Sequence, residues 1–125
     1  MIYLVSRAAA FSFPAEPFGY KTAVLIKVST AKLRHYYSLT DEGRIFFSHP
    51  QGVEKPEKLS RATPWIRNNP EVWAPVIDVR SPDVERFSIA DGRHTFVALE
   101  QAGHAFIEIA VPEDRAEDLR KLLSV

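Results

Sequence analysis

The stretch Phe87-Ser-Ile-Ala-Asp-Gly-Arg-His-Thr-Phe-Val-Ala-Leu-Glu-Gln-Ala-Gly103 decides the fold, because it reads as strand, sharp turn and helix in direct succession. Phe87 and Ile89 alternate with Ser88 and Ala90, the period-2 pattern of a strand. Asp91 and Gly92 break that alternation. From Phe96 the apolar side chains recur at helical spacing, through Leu99 and Ala102, with Val97 and Ala98 widening the face. Gly103 stands where a helix-ending glycine belongs. A turn of this kind aims backbone N–H groups and the positive end of the helix dipole at whatever occupies its mouth. Arg93 and His94 stand there, so a phosphate is the expected guest.

Downstream, Phe106-Ile-Glu-Ile-Ala-Val111 reads as a strand ended by Pro112. Glu113 to Leu123 then reads as a helix, with acids early and bases late as the dipole prefers. Upstream, Ile2 to Val5 is expected as a short strand and Phe11 to Tyr20, with Pro14, Pro17 and Gly19, as an irregular connector. Ala23-Val-Leu-Ile-Lys-Val28 is expected as a buried strand. Ser29 and Thr30 follow as N-cap candidates for a helical turn through Lys32, Leu33 and Arg34. Tyr36, Tyr37 and Leu39 suggest a strand, Asp41-Glu-Gly43 a turn, and Ile45 to Phe47 the returning strand of a hairpin. His49 to Lys58 reads as a surface loop. Thr63-Pro64 reads as the start of a short helix stopped by Asn68-Asn-Pro70, and Trp73 to Val79 as a strand with Pro75 at its edge. The expected fold is α+β: a small mixed β-sheet with helices over one face, in a single domain spanning residues 1–125.

Composition narrows the chemistry. Sixteen Lys and Arg balance sixteen Asp and Glu, so attraction to nucleic acid has to come from a local patch rather than from bulk charge. The absence of cysteine excludes disulfides, thiolate metal sites and cysteine nucleophiles, and suits a cytoplasmic location. No apolar run reaches transmembrane length, so no membrane insertion is expected. The start resembles a signal peptide only superficially, because Arg7 interrupts it and no charged segment precedes it. His35, His49, His94 and His104 are scattered without ligand spacing, and no metal site is expected.

Each residue of the turn has two readings. Gly92 supplies a positive φ and also lets a phosphate approach the backbone. Arg93 either pairs with Asp91 or a carboxylate of the last helix, or offers its planar fork to a phosphate. His94 either makes local hydrogen bonds in the first helical turn or moves a proton. Thr95 caps the helix or donates to a phosphate oxygen, with capping the favoured role. Asp91 is a turn residue, an orienting acid, or one ligand of a divalent metal carried in with a nucleotide. Ser29 and Thr30, with Lys32 and Arg34, form either the other wall of a phosphate pocket or a capped helix with a solvated face. Arg61, Arg67, Trp65 and Trp73 could offer single-stranded DNA a stacking surface, although at least one tryptophan is expected in the core.

Four pieces in order resemble the ParB/sulfiredoxin superfamily. They are Val76-Ile-Asp-Val79, the box Asp91-Gly-Arg-His-Thr95, the helix Val97-Ala-Leu-Glu-Gln-Ala-Gly103 and the strand Ile107-Glu-Ile-Ala-Val111. The segment Val28-Ser-Thr-Ala-Lys-Leu33 is similar to the family's earlier strand-to-helix entry, while the middle from Tyr36 to Trp73 matches nothing in it. The resemblance implies a pocket for ATP or another nucleoside triphosphate with Mg²⁺, or for a DNA phosphodiester, with ATPase or DNase activity as the associated chemistry. It places Asp91, Gly92, Arg93, His94, Thr95, Ser29 and Thr30 in the binding site, and His94 and Arg93 as the catalytic pair. Thr95 stands where family boxes often carry a second arginine. Sulfinic-acid reduction is excluded because the catalytic cysteine of sulfiredoxins is missing. Size and general likeness point within the superfamily to the plasmid fertility-inhibition type. That type implies a protein partner in the conjugation machinery and, as the alternative function, a non-catalytic module that inhibits that partner.

Overall fold

A computed structural model describes residues 5–7, 12–14, 20–68 and 71–124. Along the chain, β1 (Val5–Arg7) and β2 (Ser12–Pro14) precede the long strand β3 (Tyr20–Ser29). Three helices follow, α1 (Thr30–Leu39), α2 (Asp41–Phe47) and α3 (Pro56–Asn68). Next come β4 (Glu71–Trp73), β5 (Val76–Asp78), a 3-10 turn at Val84–Arg86 and β6 (Ser88–Asp91). The chain closes with α4 (Arg93–Gln101), β7 (Phe106–Pro112), a second 3-10 turn and α5 (Ala116–Leu123).

The fold is α+β around a mixed sheet in the order β2-β3-β7-β5-β6, with β1 and β4 paired parallel beside it. Only β5 and β7 run parallel within the larger sheet. The alternation visible in the sequence sets its two faces. Ile26 and Val28 of β3 and Ile107, Ile109 and Val111 of β7 point into the main core, together with Leu33, Tyr37, Phe46, Ile66, Phe96, Leu99, Leu119 and Leu123 from the helices. Ala110 faces the other way, toward Ala74 and Val76. Burying a side chain such as Leu99 stabilises the fold by about 1.5–3 kcal/mol, so this one face carries most of the apolar driving force.

The segment from residue 87 to 103 folds as its pattern predicts. Its helix begins at Arg93 and ends in the paired bonds of a Schellman turn, Gly103 N–H to Glu100 O and His104 N–H to Leu99 O. Four consecutive residues, Phe96 to Leu99, are buried in the main core, where α4 packs against α3.

The middle of the chain corrects several expectations. Tyr36, Tyr37 and Leu39 belong to a helix, not a strand. Leu33 and Tyr37, one turn apart, both point into the core, and Tyr37 meets Phe46, Phe47 and Phe87 there. The expected hairpin is also absent: Thr40 accepts a hydrogen bond from Gly43 N–H and starts α2, so Asp41 to Phe47 is helical. Gly43 serves close approach rather than a turn, since a Cβ there would lie 1.9 Å from the carbonyl oxygen of Tyr37. The rule that proline suits the first helical position operates at Pro56, not Pro64. Thr63 donates its hydroxyl back to Leu59 O, and the helix runs on past Pro64. Trp73 and Val76 lie on two separate strands interrupted at Ala74-Pro75. At the start, residues 12–14 pair with β3 rather than forming connector, and the first strand is Val5–Arg7. Residues 2–4, 11 and 15–19 of those expectations lie outside the described residues. Trp65 and Trp73 are 57% and 53% exposed, so neither is a core residue.

Candidate functional site

The box Asp91 to Thr95 is delivered by a break in the sheet. The register of β5 against β6 slips between the pairs Val76–Asp91 and Ile77–Ile89, which bends β6 at Ala90 and turns the chain out of the sheet. Gly92 follows at φ 84°, in the left-handed region. A side chain is doubly unwelcome there, because a Cβ would also sit 3.0 Å from Pro75 Cα. Gly92 is the N-cap of α4 and has no side chain to cap it. Its carbonyl accepts the first helical bond, from Phe96 N–H at 2.9 Å. The N–H groups of Arg93, His94 and Thr95 have no protein acceptor among the described residues. Thr95 is therefore the third residue of the helix and not its cap.

The two candidate catalytic side chains are held by residues that the sequence did not single out. His94 Nε2 lies 2.6 Å from Glu54 O. A carbonyl oxygen only accepts, so Nε2 carries a proton and Nδ1 is the nitrogen left to exchange one. The imidazole stands edge-on to Phe46 with ring centroids 5.2 Å apart. The Arg93 guanidinium carbon lies 5.2 Å from the centre of the same Phe46 ring. It pairs with neither Asp91 nor the last helix. It faces the Tyr37 hydroxyl, which is buried between Arg93 and Glu42 without a well-formed hydrogen bond to either. Burial and the Glu42 carboxylate push the Tyr37 pKa far up, so the phenol stays protonated. Glu42 in turn accepts from Ile89 N–H at 3.0 Å, tying α2 to the strand that delivers the box. Asp91 is exposed.

Ser29 and Thr30 do not join this site. Ser29 Oγ caps α1 by accepting from Lys32 N–H at 3.2 Å, and Thr30 donates its hydroxyl to His104 O at 2.7 Å. Both residues line a shallow 390 Å³ cleft with Glu100, Gly103 and His104, at the carboxyl end of α4. The box occupies the amino end, and a nine-residue helix is about 13 Å long. The two bases expected beside them are dispersed as well. Lys32 bonds the carbonyl of Ser124, and Arg34 pairs with Glu100 at 2.7 Å while lying over the Phe47 ring. The second wall of the expected pocket is thus one helix cap, Ser29, and one tie from Thr30 to the segment after α4.

Of the residues missed in the sequence, Tyr37, Glu42 and Phe46 lie in the segment expected as a hairpin, which is helical, and Glu54 lies in the expected loop, which is irregular up to Lys55. The available signal was the helical spacing of Leu33 and Tyr37 together with the capping pattern Thr40-Asp-Glu-Gly43. Among the described residues no three His, Asp or Glu side chains converge as a metal site would need. No helix among them is long and apolar enough to cross a membrane. Comparison with protein-family models, with curated proteins and with solved structures found no match.

Proposed function

We propose that the amino end of α4 binds a phosphate group, carried by a nucleoside triphosphate or by DNA, in the manner of ParB/sulfiredoxin-like domains. The observation that carries this reading is the start of α4. An uncapped glycine in the left-handed conformation leaves the N–H groups of Arg93, His94 and Thr95 without acceptors among the described residues, at the positive end of a helix dipole. Arg93 sits at the first position of that helix and supplies the countercharge. If the bound phosphoryl group is hydrolysed, Arg93 neutralises charge developing on its oxygens and His94 Nδ1 moves the proton, because Nε2 is committed to Glu54. Any Mg²⁺ would arrive with the nucleotide, and Asp91, exposed and next to Gly92 in the chain, is the carboxylate the box itself offers it.

Titration of fluorescent ATP and CTP against the protein tests this reading. Binding should be weakened more than about tenfold by Arg93→Ala, or roughly 1.4 kcal/mol. No binding of either nucleotide or of DNA at about millimolar concentration would remove it.

A second reading, a non-catalytic module that inhibits a protein partner such as a conjugation component, is favoured by one observation. Arg93 and His94 are both packed against Phe46 and engaged with neighbouring protein groups, as residues kept for structure are.

A further inference from the structure

The corner between α1 and α2 and the 3-10 turn at Val84–Arg86 enclose a cleft of about 560 Å³. Its apolar surface comes from Tyr36, Leu39 and Phe87. Leu39 is 63% exposed, and Ile45, one turn along α2 from the cleft residue Asp41, is 66% exposed. Large aliphatic side chains left this bare on two adjoining helices form a surface suited to contact. The charge around it is predominantly negative. Asp41, Glu42, Asp83 and Glu85 line the cleft, and Arg86 is its one cation among the described residues. Glu42 and Asp83 accept backbone N–H bonds, from Ile89 and Glu85, which leave their charge in place. Asp41 pairs with Arg44 on the exposed side of α2.

We propose that this cleft docks a basic, amphipathic segment of a partner protein. One or two apolar side chains of the segment lie against Tyr36, Leu39 and Ile45, and its Lys or Arg groups lie over Glu42, Asp83 and Glu85. The charge pattern selects this occupant. Phosphate and nucleic acid are disfavoured, because Glu42, Asp83 and Glu85 outnumber Arg86 once Asp41 is paired with Arg44. Among the described residues the acids do not converge on one point, which a metal ion requires. A second copy of this chain in an isologous contact would set acid against acid. The proposal stands independently of the phosphate site.

The test is selection of random displayed peptides on the intact protein, followed by fluorescence anisotropy of labelled synthetic copies. The recovered sequences should intersperse Lys or Arg with Leu, Ile or Phe. Glu85→Lys and Leu39→Ser alter exposed side chains and should each weaken binding about tenfold or more, with salt weakening it further. Glu57→Lys makes the same change of net charge on the exposed face of α3 and should leave the affinity within about twofold. Four results would each overturn the proposal: no enrichment, recovered sequences that are neutral or acidic, an equal loss with Glu57→Lys, or self-association abolished by Leu39→Ser, which would assign the face to a second copy.

Discussion

Tyr37 joins two parts of the molecule that are far apart in sequence. Its ring fills the core against Phe46, Phe47 and Phe87, while its hydroxyl lies between Glu42 and Arg93. Burial and the carboxylate hold the proton on the phenol more tightly in the folded chain than in the unfolded one. The stability this contributes is complete below the ordinary tyrosine range, near pH 10, and is lost as pH rises above it. Urea unfolding should therefore show wild-type stability falling above about pH 10, and falling less steeply in Tyr37→Phe. At neutral pH the variant should stay within about 1 kcal/mol of wild type, because the hydroxyl it loses makes no well-formed hydrogen bond. Equal alkaline slopes would show that Tyr37 does not titrate in the transition. Arg93 and His94 were legible as residues of interest because they follow an Asp-Gly turn. What holds them was not, since Phe46, Glu54 and Tyr37 reach them across 40 residues or more in sequence.

Elements governed by local pattern were readable, and those governed by tertiary contact were not. Strand β3 announces itself by a run of β-prone residues and β7 by alternation, while α4 and α5 show helical spacing and terminal signals. The helices α1 and α2 are hidden because Tyr36, Tyr37, Ile45, Phe46 and Phe47 are residues that strands also favour. Thr40 decides between the two readings, ending α1 with one bond and capping α2 with another. Gly43 then fixes how closely the two helices approach, its Cα lying against the carbonyl of Tyr37. Gly43→Ala should separate them and cost about 2–3 kcal/mol in chemical denaturation, although alanine is the better helix former. A loss below about 0.5 kcal/mol would mean that the corner yields freely. The same corner bears Leu39, Asp41 and Glu42 of the acidic cleft, so the packing that orients Tyr37 toward the box also shapes the docking surface.

The whole molecule carries no net charge, yet its charges are sorted. The amino end of α4 presents N–H groups and Arg93, and the corner of α1 and α2 presents carboxylates, with Glu42 and Tyr37 between them. Composition alone averages these regions to zero, which is why it argues against nucleic acid in bulk while leaving a local phosphate site open. The sheet positions that site through the slip in register at the end of β6, and α4 keeps it about 13 Å from the start of α1. The role proposed for the first turn of α4 is to hold phosphate. Amide resonances followed while inorganic phosphate and then ATP are added to the labelled protein test it most directly. The N–H signals of Arg93, His94 and Thr95 should move together and saturably, with those of Ser29 and Thr30 unmoved. Signals that stay still at about 10 mM ligand, or that move at Ser29 and Thr30 instead, would contradict the account.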